Sequence, residues 1–315
     1  MRVFAHAGRD DLAVVHLAEF ADGRRVEFVE SLQPPLTREE KWVLIVSTLA
    51  GCPVGCPMCD AGRSFGGRLT AEQILAQIIH AVRSRYSDGR VPAKKFKIQF
   101  ARMGEPALNP AVLEVLEALP GLFDAPGLLP SLSTVAPRGC EGFFDRLLDL
   151  KERRYGGGRF QLQFSIHSTD GMARDRLIPV RKWDFHAIAA FGARWRKGGD
   201  QKITLNFALA RRVPVDPQVL LEHFDPETFL VKVTPLNPTY GAAGHRLASA
   251  FDPHHPSAAA PLVEQFVRAG YRTILSIGET EENLIGSNCG QFLERHRRAE
   301  ESLPDGYAYP VQPHG

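Results

Sequence analysis

Strand-like and helix-like segments alternate along most of this chain, and this alternation limits its fold more than any other feature. Seven short runs rich in apolar residues have the length of buried strands, and segments with helical apolar spacing lie between most of them. The runs, between residues 41 and 278, are KWVLIVST, KKFKIQFAR, LLPSLST, RFQLQFSIH, KITLNFALA, FLVKVTPLN and RTILSIG. This repetition predicts an α/β fold in which crossover helices join parallel strands in a partial or full barrel.

Two segments flank the predicted barrel. LAVVHLAEF and RRVEFVES are separated by a turn that contains Asp-Gly, which predicts a β-hairpin. The last residues, ESLPDGYAYPVQPHG, are rich in Pro and Gly and predict a loosely held segment. The sequence therefore predicts a β-hairpin extension over residues 1–36, a barrel domain over 37–299 and a loosely held tail over 300–315.

Composition and charge exclude several classes of protein. The net charge of +2 does not supply the concentrated basic field with which a chain grips RNA through its phosphates. The N-terminus has no signal-peptide core, and no apolar run is long enough to span a membrane, so we expect a cytoplasmic protein. Five cysteines in such a chain do not form a disulfide framework, and we expect reduced thiols.

Three of the five cysteines lie together in GCPVGCPMCDAG, just after the first predicted barrel strand. Cys52, Cys56 and Cys59 can meet at one inorganic centre. Structural zinc takes four ligands, commonly in two CxxC-like pairs, and here no second pair exists. A [4Fe-4S] cluster held by three cysteines leaves one iron open for chemistry. Zinc completed by a distant Cys or His, and three cysteines without a shared role, remain alternatives.

The C-x3-C-x2-C spacing resembles the signature of the radical SAM superfamily, and further stretches resemble its RlmN/Cfr family of RNA methyltransferases. These stretches, in the family's order, are MGEPALN, LSTVAP, SIHS with RDRLIPV, TPLNP and NCGQF. The resemblance implies a partial (β/α)6-type radical SAM barrel with a [4Fe-4S] cluster and S-adenosylmethionine as cofactors. It also implies an external electron donor, such as flavodoxin or ferredoxin, and a 5′-deoxyadenosyl radical as the reactive species.

The resemblance further implies a set of site residues. Gly104 and Glu105 would meet the amino group of S-adenosylmethionine. The rest of its pocket would be lined by Ser133, Ser165, Ile166, His167 and Asn237. Several of these follow predicted strands, where barrel active sites are assembled.

Two further residues match catalytic positions of the family. Cys289 matches the cysteine that is methylated and then carries a one-carbon unit to the substrate. Glu27 matches a glutamate that accepts a proton, although Glu30 lies three residues away on the same predicted strand.

The sequence also departs from the family. Ile45 stands where the RNA methyltransferases carry a cysteine that resolves the covalent adduct with the substrate, and Cys140 is a candidate substitute. Met58 replaces an aromatic residue, and Asp60 stands where Ser or Thr is usual. RNA-modifying members have an accessory domain before the hairpin, and here the predicted hairpin begins within about a dozen residues of Met1, so we expect no counterpart of that domain.

These departures favour a substrate other than RNA. The sequence predicts a methyltransferase-like radical SAM enzyme that modifies a small molecule or a peptide. If Cys289 carries a methyl group, this modification is a C-methylation. The alternative is an RNA (adenine) methyltransferase of the RlmN/Cfr type. A second alternative is a metal-binding scaffold without catalytic activity.

Overall fold

The computed structural model describes residues 1–288, 293, 303 and 306–313. The strands in these residues are β1 (Arg2–Arg9), β2 (Ala13–Glu19), β3 (Arg25–Ser31), β4 (Lys41–Val46), β5 (Leu49–Gly51), β6 (Phe65–Arg68), β7 (Lys95–Phe100), β8 (Leu128–Thr134), β9 (Gln161–Ser165), β10 (Ile203–Leu209), β11 (Phe229–Pro235), β12 (Thr273–Leu275) and β13 (Gln312–Pro313).

The helices lie between the barrel strands. They are α1 (Ala71–Arg85), α2 (Ala111–Leu122), α3 (Glu141–Arg154), α4 (Gly171–Leu177), α5 (Phe185–Trp195), α6 (Pro217–Leu221), α7 (Tyr240–Gly244), α8 (Ala260–Arg268) and α9 (Glu281–Ile285), with 3-10 turns at Asp60–Arg63, Pro106–Leu108 and Pro256–Ala259. Thr70 begins α1 with a capping box: its hydroxyl accepts from Gln73 N at 3.2 Å, and the Gln73 side chain accepts from Thr70 N at 3.0 Å. No helix in the described ranges is long and apolar enough to cross a membrane.

Eleven strands form one sheet in the order β12-β11-β10-β9-β8-β7-β4-β3-β2-β1-β13. The strands from β4 through β12 in this sheet pair in parallel with their neighbours, which confirms the predicted α/β fold with crossover connections. β3 pairs antiparallel with β4, so the extension continues the barrel sheet. β1 is a third strand of the extension that the sequence analysis did not predict. The domain boundaries stay predictions.

The barrel strands bury one face under helices and turn the other toward a central space. Along β7, Phe96, Ile98 and Phe100 are fully buried, and the residues between them are half-buried. β4, β9 and β10 show the same alternation. Burying each large apolar side chain stabilises the fold by about 1.5–3 kcal/mol. The half-buried faces enclose the space that we call the lumen.

The described end of the chain packs against the rest of the fold, which differs from the predicted loose tail. Tyr307 is 1% exposed, and its ring stacks on Tyr240 with ring centroids 5.2 Å apart. Its hydroxyl donates to Asp60 at 2.6 Å, and its backbone N–H donates to Asn283 at 3.1 Å. β13 then pairs with β1. Pro and Gly content alone does not reveal such aromatic anchors, which is why the expectation differed.

We expect Tyr307→Ala to lower the free energy of unfolding by about 3–5 kcal/mol, because it removes a buried ring together with a donor to Asp60. Tyr307→Phe keeps the stacked ring and should cost less. Denaturant unfolding monitored by circular dichroism measures both changes. A Tyr307→Ala variant as stable as the unmodified protein would show that this anchor does not hold the chain end.

Candidate functional site

The loop with the three cysteines runs from the end of β5 to the 3-10 turn at Asp60. Gly51 and Gly55 have φ angles of 85° and 70°, which a glycine adopts without strain. The N–H of Cys52 donates to Ala61 at 2.7 Å, and the N–H of Cys59 donates to Cys56 at 3.0 Å. These bonds close the loop on itself, so the three cysteines lie on one closed loop of backbone.

Apolar contacts place this loop over the carboxyl ends of the barrel strands. Val54 and Met58 are buried in one apolar cluster with residues that follow the parallel strands. Those residues include Val135 after β8, Ala210 after β10 and Leu236 after β11. Met58 therefore fills the position of the aromatic residue usual in the family with a side chain that adapts to its neighbours.

Asp60 fixes the far end of the loop. Its carboxylate accepts from the N–H groups of Gly241 at 2.7 Å and Tyr240 at 3.2 Å, and from the Tyr307 hydroxyl at 2.6 Å. A Cβ on Gly241 would lie 2.8 Å from the carbonyl oxygen of Pro57, so glycine allows the close approach. A serine or threonine has one side-chain oxygen and would satisfy fewer of these donors. The departure at Asp60 thus has a structural reason.

The donor set fits an iron–sulfur cluster. None of the four described cysteines forms a disulfide. Burial raises the pKa of the Cys52 thiol to about 11 and that of Cys56 to about 12, so both need a positively charged centre to become thiolates.

The same loop gives the zinc alternative no support. Among the described residues, no group of three or more His, Cys, Asp or Glu side chains is placed to hold a metal ion. A cluster binds each thiolate through a different iron, so its thiolates need not converge on one point.

Glu105 lies beside this loop at the end of β7. Gly104 before it has a φ angle of 104°, and a Cβ there would lie 2.6 Å from the Leu49 side chain. The Glu105 carboxylate accepts from the Thr134 hydroxyl at 2.5 Å, from Val135 N at 2.8 Å and from Ala107 N at 3.0 Å.

Burial raises the pKa of Glu105 to about 7. Its negative charge in turn raises the pKa of Cys52 and Cys56, so the carboxylate is close to both thiols. A ligand ammonium at this place would offset the cost of burying the charge.

Four other predicted residues lie at neighbouring strand ends. Ser133 on β8 and Ser165 on β9 are half-buried, and Ser133 accepts from the Gln163 amide at 3.2 Å. Ile166 is fully buried. His167 has a φ angle of 63° and its Nδ1 accepts from Ala208 N at 3.1 Å, while burial and then Arg174 lower its pKa to about 4. His167 is therefore neutral, with its proton on Nε2.

Asn237 lies after β11 in a cleft of about 550 Å³. The cleft is also lined by Leu236, Thr239 and Ala242, which follow the same strand. The structure thus brings the cysteines, Glu105 and the predicted pocket residues to one end of the barrel. Their binding roles stay predictions.

A buried ion pair that the sequence did not reveal involves Glu27. Glu27 is fully buried, and Arg102 binds its carboxylate at 2.6 Å. Glu30 lies on the opposite strand face, where it pairs with His16 and Arg85. Arg102 comes directly before MGEP, and no pattern in the sequence distinguishes it from a surface arginine.

The same ion pair holds both sides of the segment that contains Cys289. Arg102 donates to the carbonyl oxygens of Gly286 at 2.7 Å, Ser287 at 2.9 Å and Asn288 at 2.9 Å. The N–H of Leu293 donates to the Glu27 carboxylate at 3.1 Å. Cys289 itself lies outside the described residues. These contacts favour a positioning role for Glu27, and its role as a proton acceptor stays a prediction.

Ile45 and Cys140, the candidate substitute for the cysteine that Ile45 replaces, lie on different elements of the fold. Ile45 is half-buried and pairs with Val29 across β3 and β4. Cys140 precedes α3, and its pKa is raised by burial and by the nearby Glu105 carboxylate. Cys140 is therefore on the same side of the barrel as the cysteine loop.

Comparison with known proteins confirms the resemblance. A protein of Acidothermus cellulolyticus named "Probable dual-specificity RNA methyltransferase RlmN" is 27% identical over 270 residues, which cover 81% of this chain and 59% of the relative. A protein of the same name from Thermus thermophilus is 26% identical over 311 residues, covering 94% of this chain and 79% of the relative. The chain thus spans about three fifths of the first relative. No family model matches the chain.

A solved structure confirms the fold. A radical SAM methyltransferase from Sphaerobacter thermophilus superposes with a TM-score of 0.69 at 21% identity, covering 91% of this chain and 79% of that one. The predicted α/β barrel architecture is therefore confirmed for this chain.

We expect Glu105→Gln to weaken S-adenosylmethionine binding by about 1.5–3 kcal/mol, because the ligand ammonium loses a charged partner. Anaerobic equilibrium dialysis on cluster-loaded protein measures the affinity. Glu114→Gln, on an exposed position of α2, is the matched control and should change nothing. Equal affinities for all three proteins would remove Glu105 from the pocket.

Arg102→Met should lower the free energy of unfolding by about 3–5 kcal/mol, because it leaves the Glu27 charge buried without its partner. Arg2→Met removes an exposed ion pair with Glu19 and should cost no more than about 1 kcal/mol. Urea unfolding of both variants provides the comparison. The account of this ion pair fails if the two substitutions cost the same.

Proposed function

We propose that this protein is a radical SAM methyltransferase that acts on RNA. The observation that carries the proposal is the placement of the cysteine loop beside Glu105 at the carboxyl ends of the barrel strands. Similarity over most of the chain to proteins named as RNA methyltransferases supports the substrate class.

In this proposal Cys52, Cys56 and Cys59 would hold a [4Fe-4S] cluster, which would supply the electron for reductive cleavage of S-adenosylmethionine. Gly104 leaves room at the strand end, and Glu105 binds the ligand ammonium. The neutral His167 offers Nε2–H as a donor. Val54, Met58 and their apolar neighbours exclude water from this end of the barrel.

Cys289 would carry the methyl group, held in place through the residues on either side of it. Arg102 and Glu27 bind those residues by hydrogen bonds, so the described residues on either side of Cys289 are joined to β3 and to the end of β7. A flavodoxin or ferredoxin is the class of external donor that would supply the electron.

The RNA proposal replaces the small-molecule or peptide substrate favoured by the sequence. The relatives' names support RNA, whereas nothing in the comparisons supports the other class. A small-molecule or peptide substrate stays the second candidate on one observation: Ile45 provides no thiol to resolve an adduct of the RlmN/Cfr type.

The test uses anaerobically purified protein, a reductant, S-adenosylmethionine and ribosomal RNA from a strain that lacks its own adenosine methyltransferases of this type. We expect methyladenosine in the digested RNA and a one-methyl increment in the intact protein mass. Cys289→Ala should lose both signals, and exposed-site variants should keep them.

The outcomes separate the parts of the proposal. Release of 5′-deoxyadenosine with unmodified RNA would contradict the substrate class and promote the second candidate. Protein that binds no iron and releases no 5′-deoxyadenosine would contradict the radical mechanism and favour the scaffold alternative.

A further inference from the structure

An ammonium group without a counter-ion lies inside the barrel. Lys97 is half-buried on the lumen side of β7, between the fully buried Phe96 and Ile98. It forms no hydrogen bond or ion pair with any residue that the structure describes. A charge in such a place is costly unless a partner binds it.

Lysines from three strands surround this position. Lys95 lies two residues earlier on β7, and Lys41 pairs with it in register on β4. Lys232 lies on β11, which β8, β9 and β10 separate from β7, yet its charge acts on Lys97. Lys232 therefore faces Lys97 from across the lumen. The acidic Glu282 lies close to Lys41. The four lysines form what we call the lumen lysine cluster.

We propose that the lumen lysine cluster binds a phosphate group of the substrate. Several ammonium groups near one another suit a multiply charged oxyanion, and lysine is a common phosphate ligand. Lys41 also donates to the Gln33 side chain. The other half-buried lumen residues include amides and hydroxyls, among them Gln99, Gln163 and Asn206, beside apolar residues such as Val43 and Ala208. Such groups suit the uncharged parts of a nucleotide.

The position of the cluster agrees with this role. Lys97 lies three residues, or about 10 Å of strand, before the end of β7. Glu105 and the cysteines lie at that end of the barrel. That length is comparable with a nucleotide measured from its phosphate to the far edge of its base. A phosphate at the lysines would therefore place the base toward the reactive end of the barrel.

The electrostatics of the empty lumen also agree. Burial, then Lys232, Lys95 and Lys41, lower the pKa of Lys97 to about 7. A bound anion would offset the repulsion between these ammonium groups. Lys97→Met should for the same reason leave the unliganded protein at least as stable as before, because it removes an unpaired buried charge.

The inference rests on the proposed function only for the identity of the substrate. The test of the inference measures binding rather than turnover. Cluster-loaded protein is titrated with adenosine 5′-monophosphate, with adenosine and with a short RNA hairpin. We expect Lys97→Met to weaken binding of a phosphate-bearing probe by about tenfold or more, the loss of one charge-assisted hydrogen bond, and to leave adenosine unchanged.

Three comparisons make the result specific. Lys97→Arg should retain binding, since it keeps the charge, and Lys232→Met should weaken it. Lys94→Met changes an exposed neighbouring lysine and should have no effect. Release of 5′-deoxyadenosine tests the proposed function separately, because radical formation needs none of these lysines.

Each outcome decides something. Weaker binding of both probes, or of the hairpin alone, supports a phosphate site used by RNA. Weaker binding of the mononucleotide alone supports the site with a small phosphorylated substrate. If Lys97→Met and Lys94→Met bind both phosphate-bearing probes as tightly as the unmodified protein, the inference is wrong.

Discussion

A single buried ion pair, Arg102 with Glu27, joins the three parts of this molecule. Glu27 belongs to the N-terminal extension, Arg102 follows a barrel strand, and both bind backbone on the two sides of Cys289. Burying two charges costs free energy that their attraction only partly offsets. The pair therefore contributes geometry more than stability: it fixes how the extension and the barrel meet the described residues on either side of Cys289.

Other contacts hold the cysteine loop at the carboxyl ends of the barrel strands. Asp60 ties it to α7 and to Tyr307, while Val54 and Met58 pack against residues that follow the strands. The chain end thus supports the loop directly. Such contacts hold three thiols in a partly buried place, which is the environment that a redox cluster shielded from water requires.

Sequence patterns predicted the barrel and the site because both depend on local signals. Apolar spacing distinguishes strand from helix, and Cys52, Cys56 and Cys59 lie within one short loop. Contacts between distant segments gave no such signal. The pairing of Arg102 with Glu27, the anchor at Tyr307 and the partners of Asp60 each join residues far apart in the chain.

The lumen lysines show a further limit. The stretch KFKIQF alternates charged and apolar residues, and a strand with one face in solvent gives the same pattern as a strand around a lumen. The curvature of the whole sheet decides between them, and periodicity does not encode it. Net charge has a related limit, because it describes the whole surface and not the inside of a barrel, and so it does not decide the substrate class.

The central claim is that Cys52, Cys56 and Cys59 hold a cluster whose open iron binds S-adenosylmethionine beside Glu105. Mössbauer and electron paramagnetic resonance spectra of anaerobically purified protein, recorded with and without S-adenosylmethionine, test it most directly. The account predicts one [4Fe-4S] cluster per chain whose spectrum changes when S-adenosylmethionine is added and which Cys56→Ala abolishes. Protein that holds zinc without iron, or a cluster whose spectrum ignores S-adenosylmethionine, would contradict it.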